Sequence, residues 1–282
     1  MKLGAWILLA LEIIGSAVLT LGADISSAVA MPIQLKNGYL VIAKGSIGHL
    51  KNLAFLVDTG TSRTLIDSRI TKKLRLTGEG DKLTIFDHEI EVKLVDLPDL
   101  QLGAIHAQSP RVIVTDLSGV TQRFGLHADA IVGMDVLRLG SLTIDYDAKR
   151  IWFGDGAPAT PALPLEQSWP YLIVKARLDD FPLTLMIDTG CEDVVLFANR
   201  LPAGLRKGHF QLSRALTVAE EALLTRIGSG KLTIGTFPAH KVRFRVIATG
   251  RNDMGYDGIV GLRALHASRI QVDVERMTVS LR

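Results

Sequence analysis

The 282 residues are 48% hydrophobic and 22% charged, and 32 basic against 29 acidic side chains leave a net charge of +3. That is a globular composition with length enough for two cores, and with no run of like charges it does not indicate a nucleic-acid partner. The single cysteine, Cys191, excludes an intrachain disulfide, and the seven histidines show no metal-ligand spacing.

The N-terminus reads as an export signal over residues 1–30. Lys2 starts it, residues 3–22 are mostly apolar, and Ala28-Val29-Ala30 fits the small-x-small cleavage rule. This predicts a periplasmic or secreted protein. The alternative is a membrane anchor formed by an uncleaved 3–22 segment, and the chain touches a membrane only in that case. A buried N-terminal helix is a third reading.

From residue 31 the chain is a series of short runs rich in Val, Ile, Leu and Thr, separated by Gly, Asn and Asp turns. Examples are Tyr39–Ile42, Leu53–Val57, Lys82–Phe86, Ile90–Val95, Arg111–Val114, Leu142–Asp145 and Arg150–Phe153. Such a pattern predicts mostly β structure. Residues 154–164, with three prolines and two glycines, read as a linker. Runs resume at Tyr171–Leu178, Leu183–Ile187, Lys231–Ile234, Val242–Ala248 and Ile270–Val274. Asp135–Leu139 and Leu262–Ala267 each follow a glycine and suit a helical turn. Ser213–Thr225 has Ala, Leu and Glu at loose helical spacing and reads as a further helix. Gly228-Ser229-Gly230-Lys231 reads as a hairpin turn: Leu232 stands where a phosphate loop needs Ser or Thr. No Gly-x-Ser-x-Gly elbow occurs.

The tripeptide Asp58-Thr59-Gly60 returns as Asp188-Thr189-Gly190, each time after an apolar run. Ile131-Val132-Gly133 returns as Ile259-Val260-Gly261, 75 and 73 positions beyond the respective aspartates. Asp145 and Asp273 each follow that glycine by 12 positions, and Tyr39-Leu40-Val41-Ile42 matches Tyr171-Leu172-Ile173-Val174. Correspondences in one order, with a period of 130 residues, predict an internal duplication into domains 31–153 and 165–282.

These motifs resemble those of the aspartic protease superfamily, in particular the bacterial retropepsin-like aspartyl proteases. The resemblance runs over nearly all of 31–282. It implies two homologous retropepsin-like β-barrel domains forming an internal pseudo-dimer, a monomer with an internal pseudo-twofold, in which Asp58 and Asp188 meet as the catalytic pair. The expected activity is that of an aspartic endopeptidase on a peptide or protein substrate, with no metal and no cofactor. Gly60 and Gly190 would permit the tight turns, and Thr59 and Thr189 would cross-brace them. Thr61 would donate to the outer oxygen of Asp58, with Cys191 at the matching position as a weaker donor. Gly133 and Gly261 would let the chain pass close behind the turns. Asp145 and Asp273 are expected in turn hydrogen bonds and ion pairs. The expected flap is the hairpin Gly78–Glu89, which contains Gly80 and Phe86. The alternative function is a non-catalytic peptide-binding protein of the same fold.

Overall fold

The computed structural model describes residues 30–85, 88–154, 161–166, 170–206, 211–216, 222–248 and 255–282. The predicted export segment up to residue 29, Phe86 of the expected flap and most of the expected linker lie outside them.

Strand Leu50–Val57 shows how apolar runs build this fold. Successive side chains of a strand point to opposite faces. Phe55 and Val57 enter the main core, while Ala54 and Leu56 enter a second cluster with Tyr39, Ile113, Phe124 and Ile131. With both faces covered, the run is apolar without alternation. Strand Phe181–Asp188 does the same, with Leu183, Leu185 and Ile187 in the main core and Met186 beside Cys191, Tyr171 and Tyr256.

The strand order of the first half is Leu40–Ile47, Leu50–Val57, Ala130–Val132, Leu65–Asp67, Arg111–Thr115, His88–Asp96 and Glu79–Ile85. That of the second is Ile173–Leu178, Phe181–Asp188, Gly258–Gly261, Val194–Phe197, Phe237–Ile247, Ala222–Ile234 and Gln211–Leu216. In the second half Ala176–Leu178 also pairs with Leu232–Ile234, which closes six strands into a barrel. In the first half the long hairpin that does this is broken into His88–Asp96, Leu100–Leu102, Ile105–Ala107 and Arg111–Thr115. Pro98 and Pro110 stand at the breaks, where a residue without an N–H cannot extend the ladder. The ring is still completed, by Leu100–Gln101 on Ser46–Ile47.

The two halves share a sheet. Leu142–Asp145 of the first pairs antiparallel with Arg269–Val272 of the second, Leu142 opposite Val272 and Ile144 opposite Ile270. Outward from this pair lie Arg150–Phe153 and Met31–Lys36 on one side. On the other lie Thr278–Leu281 and Leu163–Pro164. The expected linker therefore ends in a strand: Leu163 pairs with Val279 and takes the place that Met31 takes against Ile151.

Two readings of the second half are corrected. Ser213–Thr225 is no helix: Gln211–Leu216 and Ala222–Ile234 form an antiparallel hairpin, Ser213 opposite Thr225. Tertiary pairing overrides the helical preference of its Ala, Leu and Glu residues. Gly228–Lys231 is not a turn but the middle of the Ala222–Ile234 strand, Gly228 opposite Phe244. A Cβ on Gly230 would lie 2.7 Å from Asp179 Oδ2, so a larger residue there would displace that side chain.

Short helices fall where their signals place them. Asp67 caps Ser68–Leu74 by accepting from the Arg69 N–H, and Arg75 ends the helix in the left-handed region at φ 57°. Met134–Leu137 supplies the helical turn expected after Gly133.

Candidate active site

Asp58 follows the end of Leu50–Val57, and Asp188 ends Phe181–Asp188. Each strand pairs in parallel with the one leading to the second glycine of its half, Val57 beside Val132 and Asp188 beside Gly261. The chain thus passes directly behind each turn. A Cβ on Gly133 would lie 2.7 Å from the Arg63 carbonyl carbon and 2.9 Å from the Thr61 oxygen; one on Gly261 would overlap the Cys191 carbonyl. Only a residue without a side chain permits that approach. Met134 N–H donates to Thr61 O at 2.9 Å and Gly261 N–H to Asp193 O at 2.9 Å, tying each turn to the strand behind it.

The two turns meet. A Cβ on Gly60 would overlap the carboxyl of Asp188, and one on Gly190 would lie 2.7 Å from Asp58 Oδ2. Each carboxyl therefore rests on the other turn's glycine, and both aspartates are fully buried. Within its own turn, Asp58 Oδ1 accepts the Gly60 N–H at 2.8 Å and Asp188 Oδ1 the Gly190 N–H at 2.6 Å.

Thr59 and Thr189 bind the turns to each other. The Thr59 hydroxyl donates to Ile187 O at 2.9 Å and accepts the Thr189 N–H at 3.1 Å. The Thr189 hydroxyl donates to Val57 O at 2.9 Å and accepts the Thr59 N–H at 3.1 Å. All four bonds are buried, and together they fix how far apart the carboxyls stand.

Burial pushes Asp58 well above the ordinary carboxylate range, and the negative charge of Asp188 adds to it; the Gly60 N–H pulls the other way. Burial raises Asp188 to about 6, opposed by a hydrogen bond from Asp58 and by the N–H groups of Gly190 and Cys191. With both groups ionised, Oδ2 of each would have no donor. One proton held between them supplies it, one carboxyl then donating to the other. The ionisations belong to the pair.

The expectation for Thr61 is corrected. Its hydroxyl donates to Arg63 O at 3.0 Å and not to Asp58. Cys191 repeats this with Sγ on Asp193 O at 3.4 Å. A hydroxyl carries one proton, and the carbonyl two residues on already holds it. The thiol is buried, and burial together with the charge of Asp188 pushes its pKa well above the normal thiol value. Asp145 and Asp273 stand away from the pair in turns: Asp145 accepts the Ala148 N–H at 2.7 Å, and Asp273 accepts from Arg276 N–H and Nη1.

A second pair of acids escaped the sequence reading. Asp129 and Asp257 immediately precede Ala130-Ile131-Val132 and Gly258-Ile259-Val260. Asp129 Oδ2 accepts the Ala54 N–H and Asp257 Oδ2 the Thr184 N–H, both at 2.8 Å. Each clamps the strand that carries its aspartate to the strand that passes behind it. Their signal was an acid at the same offset in both halves, 71 positions after Asp58 and 69 after Asp188. Asp135 acts in the first half only: half-buried, it accepts from the Thr64 N–H at 2.9 Å and the Thr64 hydroxyl at 2.7 Å. The matching second-half residue, Arg263, reaches across to Asn37 O at 3.0 Å.

Among the described residues no group of three or more His, Cys, Asp and Glu side chains is placed to hold a metal ion. None of their helices is long and apolar enough to cross a membrane.

Comparison with protein families matches residues 43–136 to the family described as aspartyl protease. The match spans a third of the chain, and it supports an aspartic protease domain of the retropepsin-like kind and a protease-type function. Comparison with curated proteins finds no match.

Proposed function

We propose that the chain is an aspartic endopeptidase in which the two halves act as an internal pseudo-dimer, each contributing one aspartate. The observation that carries this reading is the reciprocal seating of the carboxyls, Asp188 over Gly60 and Asp58 over Gly190. Two buried carboxyls so close share one proton over a wide pH range. The ionised member takes a proton from a water held between them, and the water oxygen attacks the peptide carbonyl carbon. The protonated member gives its proton to the carbonyl oxygen, and a tetrahedral diol results. One carboxyl then gives its proton to the amide nitrogen while the other carboxylate takes a proton from a diol hydroxyl; the C–N bond breaks, a carboxylic acid and an amine leave, and the pair again holds one proton. The four threonine hydrogen bonds hold this geometry in advance, so that little reorganisation accompanies the reaction.

The hairpins Glu79–Asp96 and Gln211–Ile227 each form one end of their half's strand order, and we assign both to covering an extended peptide bound across the two halves. The chain acts as a monomer, since both aspartates come from one molecule. It works outside the cytoplasm, released or held by its N-terminal segment. Binding without turnover is the second reading. Its grounds are the thiol at Cys191 and a flap without a recognisable tip residue; of these, Cys191 bonds the carbonyl two residues on as Thr61 does.

The test is digestion of a mixed peptide library by the purified chain from acid to neutral pH, beside Asp58→Asn and Asp188→Asn. Cleavage lost in both variants supports the pair. Cleavage that survives in either variant ends the two-aspartate mechanism, and folded wild type without activity at any pH favours the binding reading.

A further inference from the structure

The two halves provide an internal comparison for charge. In the first half Arg111, on the strand that pairs in parallel with Leu65–Asp67, is neutralised: Nη2 lies 2.7 Å from Glu79 Oε2, and Nη1 lies 4.0 Å from Asp96, the residue opposite. The corresponding strand of the second half, Phe237–Ile247, carries Arg243 at the matching register, and the residue opposite is Ser229. Among the described residues no carboxylate forms an ion pair with Arg243 as Glu79 does with Arg111; Asp193, which pairs with Arg245, feels the charge of Arg243 as well.

More positive charge is added beside it. Lys241 is two residues from Arg243 on the same face, and directly opposite Lys241 stands Lys231. Like charges directly across a ladder oppose pairing. All three side chains are exposed. Next along that face of the barrel, beyond Thr233, comes exposed Arg177, opposite Thr233 on the neighbouring strand. At the other end Arg245, on the same face, pairs with Asp193 at 3.5 Å. Asp193 stands five residues past Asp188, and its carbonyl receives the Cys191 thiol. The basic row therefore begins beside the second catalytic turn and runs outward across the barrel. Among the described residues the carboxylates facing it are Asp193, held by Arg245, and Asp179, which accepts the Lys231 N–H at 2.8 Å.

We infer that this row, Arg243, Lys241 and Lys231, is an accessory binding surface for an acidic segment of the substrate, entering the cleft from the side of Asp188. The inference rests on the endopeptidase reading for its purpose but not for its detection. Charge complementarity names the occupant: exposed cations set a few ångströms apart on alternate positions of adjacent strands match the spacing of carboxylates on an extended chain. The surface selects which polypeptide is presented to the cleft, and the aspartates cut it.

The first arm of the test uses binding alone. Full-length Asp58→Asn/Asp188→Asn protein is titrated with a fluorescent peptide carrying six glutamates, with its neutral glutamine twin, and with the same Glu peptide after Lys231→Gln, Lys241→Gln and Arg243→Gln are added. The Glu peptide is expected to bind about tenfold more tightly than its twin, and the triple variant to lose that margin. Salt near 1 M, where the screening length is about 3 Å, removes it too. The second arm measures kcat/KM on a cleaved peptide with and without a Glu extension. The triple variant is expected to lower kcat/KM about tenfold for the extended peptide and to leave the unextended one unchanged. Equal binding of Glu and Gln peptides overturns the inference, as does a preference that survives in the triple variant. So does tighter binding of vesicles of anionic phospholipid than of the Glu peptide, which would make the face a membrane contact. If the first arm succeeds and no peptide is cleaved, the surface stands and the endopeptidase reading fails.

Discussion

Replacing Thr59 with valine keeps the shape of the side chain and removes its hydroxyl. The Ile187 carbonyl then loses a donor at 2.9 Å and the Thr189 N–H an acceptor at 3.1 Å, both buried between the halves. A buried hydrogen bond contributes about 1 kcal/mol net, and a buried donor left unpaired costs about 1–3 kcal/mol more. The sum is about 3 kcal/mol, or about two orders of magnitude in the folding constant. For a chain of this size it lowers Tm by about 6–10 °C. Thr59→Ser keeps both bonds and loses one methyl, for about 1 kcal/mol. Urea denaturation of wild type, Thr59→Val and Thr59→Ser at one pH, compared at constant slope, measures the difference. A Thr59→Val protein within about 0.5 kcal/mol of wild type would refute the reasoning, and so would a serine variant as damaged as the valine one.

Three further predictions concern the turns themselves. Gly60→Ala drives a methyl into the Asp188 carboxyl, so the pair must separate and kcat/KM on any cleaved peptide should fall by about 100-fold, with folding checked by circular dichroism. Burial raises Asp188 to about 6 in the folded chain, above its ordinary value when unfolded, so the folded form holds this proton more tightly. The stability from that proton is complete below the ordinary carboxylate pKa and is lost as pH rises to about 6. Asp188→Asn should therefore be more stable than wild type at pH 7, with the gain shrinking toward pH 4 in a series of urea melts; a gain independent of pH would contradict it. The buried, high-pKa thiol of Cys191 should resist iodoacetamide at pH 8 in the native chain and react quickly in denaturant, and Cys191→Thr should leave kcat/KM within about threefold.

The aspartates were legible because the turn that carries each is a local object. An apolar run, an acid and a glycine lie within a few residues, and each half states the pattern once. Gly133 and Gly261 were legible for the same reason. Asp129 and Asp257 were passed over because an acid before a strand reads as a turn; its bond to Ala54 or Thr184 spans more than seventy residues. Thr61 failed differently. A threonine beside an aspartate suggests a donor to it, and only the path of the backbone shows that Arg63 O lies closer to hand. The hairpin at Gln211–Ile234 was hidden by composition, since its alanines, leucines and glutamates favour a helix in isolation and the ladder with Phe237–Ile247 decides otherwise.

The covalent join between the halves has a consequence for inheritance. In a protease assembled from two copies of one gene product, every codon change is expressed on both sides of the cleft, and an altered turn or an added lysine must be tolerated twice. Here Thr61 has Cys191 at the matching position, and Arg111, paired with Glu79, has at its matching position Arg243, with Ser229 opposite. Such pairs of unlike residues can arise one side at a time only when the two sides are written separately. On this reading, fusion gave the chain the freedom to keep its two aspartates alike while one flank became chemically different from the other.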